Sequence, residues 1–578
     1  MAARTGAAHV VTTKRTYKGR VYTTHLLRRS FREDGKVKNE TLGNLSHLPH
    51  AVVEMIRRSL RGEVFAPATE RFEIVASKAH GAIQAVRTAM RRLGFDELLS
   101  SRPCRERNLV AAMVAARIVR PHTKLATTRW WHTTTLAEDL GVEDATEDDL
   151  YDAMDWLRTR QDVIEKKLAA RHLDQNSLVL YDLSSSYFEG THCPLARLGH
   201  NRDGKKGKLQ VNYGLLTEKR GCPVAVSVFD GNVGDPKTLL PQVEKVRESF
   251  GIKRLVLVGD RGMISQKQID ELKQLDGVLW ITALKSGGIA KLVDDGRLQL
   301  GLFDERNLFE LQHSEYPGER LIACRNPELA RLRAHKRQSL LDATSKELEK
   351  VRGMVARKRL RGKDAIGVRV GRVVNKYKVA KHFALTIEAQ RFDFQIREED
   401  VLAEAALDGI YVIRTSVGEQ EMDSAKAVRS YKQLSQVERA FRTIKTIDLN
   451  VRPIHHRHEE RVRSHIFLCL LAYYIEWHMR EAWRSLLFAD EDQAAKATRD
   501  PVAPARRSAA AEQKVADHKL LDGTQAHSFR TLMEELGAMV RNTCRPPGEE
   551  NLSFAFRLTT IPTNKQRQAL ELLEAIAA

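Results

Sequence analysis

The sequence predicts an α/β protein in which a mixed sheet follows a basic β-hairpin module and a helical region. Strand-length apolar runs alternate with helix-length amphipathic runs over residues 173–285, whereas residues 78–172 have helical spacing throughout. The alternation breaks after Lys285, and strongly apolar helices return after residue 420. A chain of 578 residues is also longer than one hydrophobic core usually organises. We therefore expect a core that two separated parts of the chain build together.

The order of elements within residues 173–285 indicates the kind of sheet. The stretch "SLVLYDLSSSYFEG" has the continuous apolar run of a buried strand, and "KLQVNYGLLTEKRGCPVAVSVFDGN" is typical of a hairpin. The buried strands "RLVLVGDRG" and "VLWITAL" then alternate with the helical patterns "KTLLPQVEKVRESFG" and "SQKQIDELKQLDG". Three leading strands followed by alternating helices and strands is the order of an RNase H-like domain. We therefore predict an RNase H-like core.

The N-terminal module is predicted from turn and stop signals. Asp34-Gly35 supplies a hairpin turn between the strands Val21–Phe31 and Val37–Leu42, and a short helix after them ends at Gly62. Further along the chain, changes in composition and in apolar periodicity suggest the other segment boundaries. The predicted segments are the basic module (1–65), a helical region (78–172), the first part of the core (173–285), a mixed α/β insertion (286–420), the final core helices (421–488), a linker (489–515) and a C-terminal helical tail (516–578).

Composition restricts the partner and the compartment. The net charge is +20, and residues 1–62 contribute 13 Lys/Arg against 4 Asp/Glu. Such a surplus favours a polyanion, most simply nucleic acid, over a basic protein without such a partner. No run of eighteen apolar residues predicts a membrane span, and the N-terminus lacks the apolar stretch of a signal peptide. The six cysteines form no CxxC pair, which argues against a zinc ribbon or a disulfide framework and fits a reducing cytoplasm.

One helix places an acid where an apolar residue is expected. In "SQVERAFRTIK", Glu438 falls on a stripe with Tyr431, Leu434, Phe441 and Lys445 at steps of three and four. We therefore expect Glu438 to turn toward the core. A buried carboxylate is costly unless it finds a cation. That cation could be a neighbouring Arg or Lys, or it could be a metal ion at the edge of a cleft.

Two further acids favour the metal. Asp182 ends the first buried strand, and Asp260 ends the strand "LVLVGD". These strands are neighbours in an RNase H-like sheet, so both carboxylates would lie at the same edge, where a later helix could bring Glu438. Each Asp alone could equally be a turn or cap residue. Converging acids repel unless divalent cations lie between them, and two such ions suit displacement at phosphorus. Oxygen ligands with open positions favour Mg²⁺ or Mn²⁺.

The same residues carry a resemblance to a family. The chain resembles the DDE transposases of bacterial insertion sequences, and among them the family named after insertion sequence four, which has a β-rich insertion before its catalytic Glu. Here 178 positions separate Asp260 from Glu438. Of that family's pattern around the Glu, Tyr431 and Lys445 match, whereas the Arg position holds Leu434 and Arg439 or Arg442 could replace it. The segments that carry the resemblance are "YDLSSSYFEG", "GHNRDGKKGKLQVNYGLL", "GNVGDPKTL", "VLVGDRGM" and "YKQLSQVERAFRTIK".

The resemblance implies a function and a set of residues. Asp182, Asp260 and Glu438 would be the catalytic metal ligands for two Mg²⁺ or Mn²⁺ ions. The enzyme would cut DNA at the ends of an insertion sequence and join them to target DNA. It would work as a homodimer on the DNA, in the bacterial cytoplasm at the nucleoid, with the basic module 1–65 and the helical region 78–172 binding the terminal inverted repeats. The residues expected to contact DNA are Lys445, Arg442, Tyr431, Arg261, Arg202, Lys205, Lys206 and Lys208; Tyr431 could instead have a packing role, and the basic loop 201–208 could simply be solvated.

Other interpretations stay open at this point. Asp235, in "GNVGDPKT", is more typical of a helix cap than of a site residue. The histidines in "IHHRHEERVRSH" match no zinc-binding spacing. A structure-specific nuclease or resolvase would use the same acids without joining DNA. A catalytically silent DNA-binding regulator is the alternative that is not an enzyme.

Overall fold

The chain forms two compact units in the computed structural model. The model describes residues 7–33, 35–63, 65, 72–446, 448–503, 506–547 and 555–577. One unit is built from Met1–Ser77 and Arg541–Thr559, and the other from Lys78–Val540 and Thr560–Ala578. The seven predicted segment boundaries stay predictions, since this division is coarser than they are.

The first unit contains two small sheets. Strand β2 pairs with β3 across the predicted turn, where Gly35 has a φ of 72° and Asp34 lies outside the described residues. The sequence analysis missed β1, which pairs with β2 along its whole length. The second sheet has the order β16-β15-β4. The elements are β1 (Ala8–Tyr17), β2 (Arg20–Glu33), β3 (Lys36–Asn44), α1 (His50–Ser59), β4 (Glu73–Ala79), β15 (Val540–Arg545) and β16 (Phe556–Thr559).

A helical region opens the second unit, as the periodicity predicts. Its longest helix, α7, begins with a capping box in which Thr146 and Asp149 satisfy each other's backbone N–H groups. Helix α4 is buried along most of its length between α7 and a later helix. The helices are α2 (Gly81–Arg92), α3 (Phe95–Leu99), α4 (Arg105–Val119), α5 (Lys124–Trp130), α6 (Leu136–Leu140) and α7 (Glu147–His172).

An eight-stranded mixed sheet forms the core of the second unit, in the order β10-β11-β14-β9-β8-β5-β6-β7. Within it, β5, β6 and β7 are antiparallel, whereas β8 and β9 run parallel to β5. This arrangement fits the predicted RNase H-like core. The strands and crossover helices are β5 (Ser177–Tyr187), β6 (Gln210–Glu218), β7 (Pro223–Asp230), α8 (Leu239–Glu244), β8 (Leu255–Val258), α9 (Gln266–Leu272) and β9 (Val278–Ala283).

The insertion extends the core sheet instead of only interrupting it. Strands β10 and β11, which the sequence analysis missed, join β14 and add to the sheet beyond β9. Between β11 and β14 the chain builds a separate apolar cluster around two helices and a hairpin. The elements are α10 (Ser286–Asp294), α11 (Leu302–Glu305), β10 (Leu308–Leu311), β11 (Arg320–Arg325), α12 (Pro327–Ala356), α13 (Lys363–Tyr377), β12 (Phe383–Ile387), β13 (Phe392–Ile396), α14 (Glu398–Ala406) and β14 (Ile410–Thr415).

The final helices cover one face of the core sheet. Helix α16 contacts β5, and α17, which is buried nearly all round, packs against α4, α7 and β7. The predicted C-terminal tail is helical only in part, because it also supplies β15 and β16. No helix in the described part of the chain is long and apolar enough to cross a bilayer. The helices are α15 (Ser424–Lys432), α16 (Leu434–Lys445), α17 (Glu459–Ala482), α18 (Gln493–Thr498), α19 (Ala509–Asp517), α20 (Phe529–Gly537) and α21 (Asn564–Glu574).

Candidate active site

Two of the predicted acids lie at the same level of adjacent parallel strands. Leu180 of β5 is the register partner of Val258 of β8. Asp182 is two residues after Leu180, and Asp260 is two residues after Val258. Because side chains along a strand alternate between the two faces of the sheet, Asp182 and Asp260 lie toward the same face. Asp260 comes just past the end of β8, where its Oδ1 accepts hydrogen bonds from the backbone N–H of Gly262 (2.9 Å) and Met263 (2.7 Å). The loop that follows β8 therefore fixes this carboxylate in place.

Helix α16 brings the third acid to this edge. The helix packs on the sheet through Val437, Ala440, Phe441 and Ile444, and the ring of Phe441 meets Tyr213 of β6 edge-on at 5.7 Å. Glu438 is exposed, so the prediction that it turns toward the core is wrong. On the helical wheel Glu438 lies beside the packed face of α16, and its side chain is therefore at the edge of the helix–sheet contact and not within it.

Electrostatics link the three carboxylates. Burial is the main cause that raises the pKa of Asp182 to about 7; the charges of Asp260 and Glu438 act in the same direction, while Arg202 and a hydrogen bond from Leu183 N–H oppose them. The same three acids act on Tyr431 of α15, whose pKa is raised to about 12, mainly by its burial. Asp182, Asp260, Glu438 and Tyr431 are therefore near enough to interact electrostatically, and Arg202 and Arg261 are cations that act on them.

The donor set fits divalent cations. Three carboxylates converge, and one of them is costly to ionise at neutral pH in the absence of a cation. Their ligand oxygens do not all lie within 4.8 Å of one another, as the ligands of a single compact ion would. Oxygen donors spread over such a site suit hard cations that keep open coordination positions.

The structure gives Lys445 partners other than the predicted DNA phosphate. The residue is 8% exposed, and its Nζ donates to Ser184 Oγ (3.0 Å) and pairs with Asp203 Oδ1 (2.6 Å). Arg452 pairs with the same carboxylate, and Asp203 Oδ2 also accepts the backbone N–H of Tyr187 (3.0 Å). Lys445 therefore anchors the start of the basic loop to β5, a role that the sequence did not reveal.

The other predicted DNA contacts fall into two groups. Arg202 is half-buried and pairs with Asp235 (2.5 Å), so Asp235 is neither a helix cap nor a fourth acid free to bind metal. Lys208 pairs with Glu189 at 2.9 Å. The other predicted cations, Arg261, Arg442, Lys205 and Lys206, are exposed, as is Lys208. Leu434, at the family's Arg position, packs against the apolar core.

Two histidines of the histidine-rich segment pack against each other. The rings of His456 and His465 lie 5.0 Å apart, and His465 Nε2 contacts the carbonyl oxygen of Val451 at 3.0 Å. In the described part of the chain, His172, Cys222 and His478 bring three possible metal-binding atoms close together. Sequence analysis missed this group, because its members stand far apart along the chain and form no motif.

Comparisons with known proteins agree with this geometry. A family model described as "Transposase DDE domain" matches residues 188–475, which include Asp260 and Glu438 and begin shortly after Asp182. A second, described as "IS1634 family transposase, N-terminal domain", matches residues 10–70. No curated protein matches significantly.

Two solved structures are also similar to the chain, although only weakly. One is a piggyBac transposase synaptic complex with hairpin DNA, 8% identical, with 79% of this chain and 76% of that chain covered and a TM-score of 0.33. The other is a Mos1 transposase paired-end complex with the left transposon end, 12% identical, with 32% and 60% covered and a TM-score of 0.14. Scores this low carry no weight in the assignment.

The assignment rests on the two family models, which together match more than half of the chain and cover both its N-terminal module and most of its core. Enzymes with this catalytic domain act on DNA and depend on divalent metal ions. The protein is therefore a DDE-type DNA transposase of an insertion sequence.

Proposed function

We propose that Asp182, Asp260 and Glu438 are the catalytic acids and that together they hold two Mg²⁺ or Mn²⁺ ions. The observation that carries this proposal is the meeting of three carboxylates from β5, the end of β8 and α16 at one sheet edge. When bound, two such ions activate the attacking oxygen and stabilise the leaving oxygen at the scissile phosphate. The protein's part is to present Asp182 ionised and to hold Asp260 through its two backbone hydrogen bonds.

We further propose that exposed cations around these acids contact the DNA backbone. Arg442 is one turn beyond Glu438 on α16, and Arg261 directly follows Asp260. Lys205 and Lys206 lie on the loop that Lys445 and Asp203 anchor to β5. Cations at these places would neutralise phosphates without reading sequence. Tyr431 of α15, on which the charges of all three acids act, is suited to packing or to a hydrogen bond with a phosphate.

Three finer features of the proposal come from the resemblance to the family named after insertion sequence four. The Tyr431, Glu438 and Lys445 pattern and the long insertion before α16 support it. Such an enzyme would bind terminal inverted repeats with its N-terminal regions. It would also hold two ends together as a homodimer, and it would act at the bacterial nucleoid.

A cleavage and joining assay tests the catalytic assignment. The purified protein would be incubated with labelled DNA containing the native flanks, a target plasmid and Mg²⁺ or Mn²⁺. We expect cut ends and joined products, with at least about 100-fold less of both in Asp182→Asn, Asp260→Asn and Glu438→Gln, since losing even an outer-shell partner of a metal costs about 10–100-fold. DNA binding should persist in all three variants.

Exposed acids away from the site provide matched controls. Asp276→Asn and Glu248→Gln remove the same charges from exposed positions and should retain full activity. Cleavage without joining would favour the structure-specific nuclease or resolvase. DNA binding without cleavage by the wild type would favour the silent regulator and refute the catalytic assignment.

A further inference from the structure

Three side chains from distant parts of the chain converge in the second unit. Cys222 Sγ lies 3.9 Å from His172 Nε2 and 3.8 Å from His478 Nε2. The ligand atoms of all three residues lie within 4.8 Å of one another. None of them belongs to the candidate active site.

These distances match those of a tetrahedral zinc site. Zn–S and Zn–N bonds of about 2.3 Å and 2.0 Å, at a tetrahedral angle, place sulfur and nitrogen about 3.5 Å apart. The two observed S···N distances exceed this value by a few tenths of an ångström. Small side-chain movements would therefore close the three ligands around one ion.

We propose that His172, Cys222 and His478 bind a Zn²⁺ ion, with water in the fourth position. Cys222 is fully buried, while both histidines are half-buried, so an ion could enter from the solvent past the imidazoles. Tyr474 Oη lies 3.2 Å from His172 Nε2, and metal binding would replace that hydrogen bond. The proposal is independent of the catalytic assignment.

The chemistry of the three groups suits a borderline soft ion. Neutral imidazoles and one thiolate are ligands that zinc prefers over the oxygen-seeking Mg²⁺. Binding would displace the Cys222 thiol proton to solvent and form one Zn–S bond, which leaves the site with a charge of +1. Glu218 and Glu481 act electrostatically on Cys222 against the single cation Arg220, so two acidic groups are near enough to offset part of that charge.

The ion would join three elements near helix α16. His172 ends α7, Cys222 follows the turn between β6 and β7, and His478 is on α17. The same turn touches α16: a Cβ added at Gly221, where φ is +90°, would come 2.8 Å from Cβ of Gln436. Gln436 is two residues before Glu438, so the proposed site would hold the turn against the start of this helix.

Cobalt substitution of the full-length protein tests the proposal. Protein stripped with a chelator and given one equivalent of Co²⁺ should show a near-ultraviolet thiolate-to-cobalt band and the strong visible bands of tetrahedral Co²⁺. Zn²⁺ should abolish these bands, whereas excess Mg²⁺ should not. The oxygen ligands of the catalytic acids cannot produce the thiolate band, so the two sites are distinguishable. Protein purified without chelator should contain about one zinc per chain.

Variants assign the ligands. Cys222→Ser should abolish the thiolate band, and His478→Asn should weaken Co²⁺ binding at least tenfold, whereas Cys193→Ser, which removes another buried thiol, should change neither. Absence of the band in wild-type protein would overturn the proposal whether or not the variants fold. Persistence of the band in Cys222→Ser would also overturn it, because the thiolate would then come from another cysteine.

Discussion

Asp182 should make the stability of the metal-free enzyme depend on pH. Its pKa is about 7 in the folded protein and near 3.8 in an unfolded chain, so between these values the folded state binds the extra proton. Stability should therefore fall as pH rises from about 4 to about 7 and level off above. Between pH 5 and pH 8, the unfolding free energy of the wild type should fall by roughly 1–3 kcal/mol more than that of Asp182→Asn.

Urea unfolding in the presence of a chelator measures this difference. Added Mg²⁺ should restore the stability of the wild type at pH 8 and leave the stability of Asp182→Asn unchanged, since the ion needs the ionised carboxylate. Asp276→Asn should follow the wild type throughout. Parallel pH profiles for the wild type and Asp182→Asn would contradict the prediction.

Lys445 and Arg442 are predicted to have different roles although both are cations on α16. Lys445→Met leaves Asp203, whose side chain is 1% exposed, with Arg452 as its cationic partner and should cost roughly 1–3 kcal/mol of unfolding free energy. Arg442→Met should change the unfolding free energy by less than about 0.5 kcal/mol. It should also reduce the slope of log affinity for DNA against log salt by about 1, the contribution of one phosphate contact. Urea unfolding and DNA titrations at several salt concentrations test both; an unchanged unfolding midpoint for Lys445→Met would refute its anchoring role.

The contents of the site could be predicted from sequence better than its contacts. The position of Asp260 just past β8 could be predicted because it ends a buried apolar run, whereas the prediction that Asp182 ends its strand is wrong, since β5 continues to Tyr187. The exposure of Glu438 and the burial of Lys445 were missed, because a helical wheel fixes which residues share a face but not which neighbours the flanks meet. The partners of Lys445, Ser184 and Asp203, come from residues more than 200 positions away and leave no periodic trace.

At the scale of elements, the loop between Phe188 and β6 should bind DNA through some of its lysines and not others. Lys205 and Lys206 are exposed, whereas Lys208 is paired with Glu189. Lys205→Gln/Lys206→Gln should lower the slope of log affinity against log salt by nearly 2, since each phosphate contact contributes about 0.9. Lys208→Gln, the control within the loop, should change it by less than half a unit. Equal effects of all three lysines in salt titrations would mean that the loop acts only through its net charge.

An ion pair that joins the insertion strands to the core should be important for stability. Arg414 of β14 pairs with Glu319, whose side chain is 0% exposed, and also donates to Gln266 of α9. Arg414→Met should lower the unfolding free energy by roughly 2–4 kcal/mol, because it leaves the buried carboxylate of Glu319 with Lys273, at 3.5 Å, as its cationic partner. Arg414→Met/Glu319→Gln should recover part of that loss in urea unfolding; equally unstable single and double variants would show that packing and not charge dominates.

Element by element, long runs were predictable and short or basic strands were not. The core strands were found because both faces are buried, which gives continuous apolar runs. β1 carries several polar and basic residues with exposed side chains, and β10 has four residues, so neither shows a strand pattern over a useful window. Both are strands because a neighbour supplies hydrogen bonds, and a local sequence window does not contain that neighbour.

At the scale of the whole molecule, the outer part of the insertion should be removable. Arg325 and Ile410 are cross-strand partners at the ends of β11 and β14, and Asn326 N–H donates to Gly409 C=O at 2.9 Å. The 82 residues 327–408 therefore leave and re-enter the sheet at one point. Their apolar cluster, which includes Leu348, Ile366 and Phe383, is separate from the main core.

Deleting residues 327–408 would join Asn326 directly to Gly409, and Asn-Gly is a favoured two-residue hairpin turn. The shortened chain should fold cooperatively and keep the Mg²⁺-dependent stabilisation at pH 8 that is predicted for Asp182. Circular dichroism and urea unfolding with and without Mg²⁺ would measure this. The matched control is the same deletion with Gly409→Val, which should be less stable by at least about 1 kcal/mol, because a β-branched residue resists the positive φ that the turn needs. If both shortened chains fail to fold, the insertion's own cluster is required for the core, and the site at β5, β8 and α16 is not autonomous.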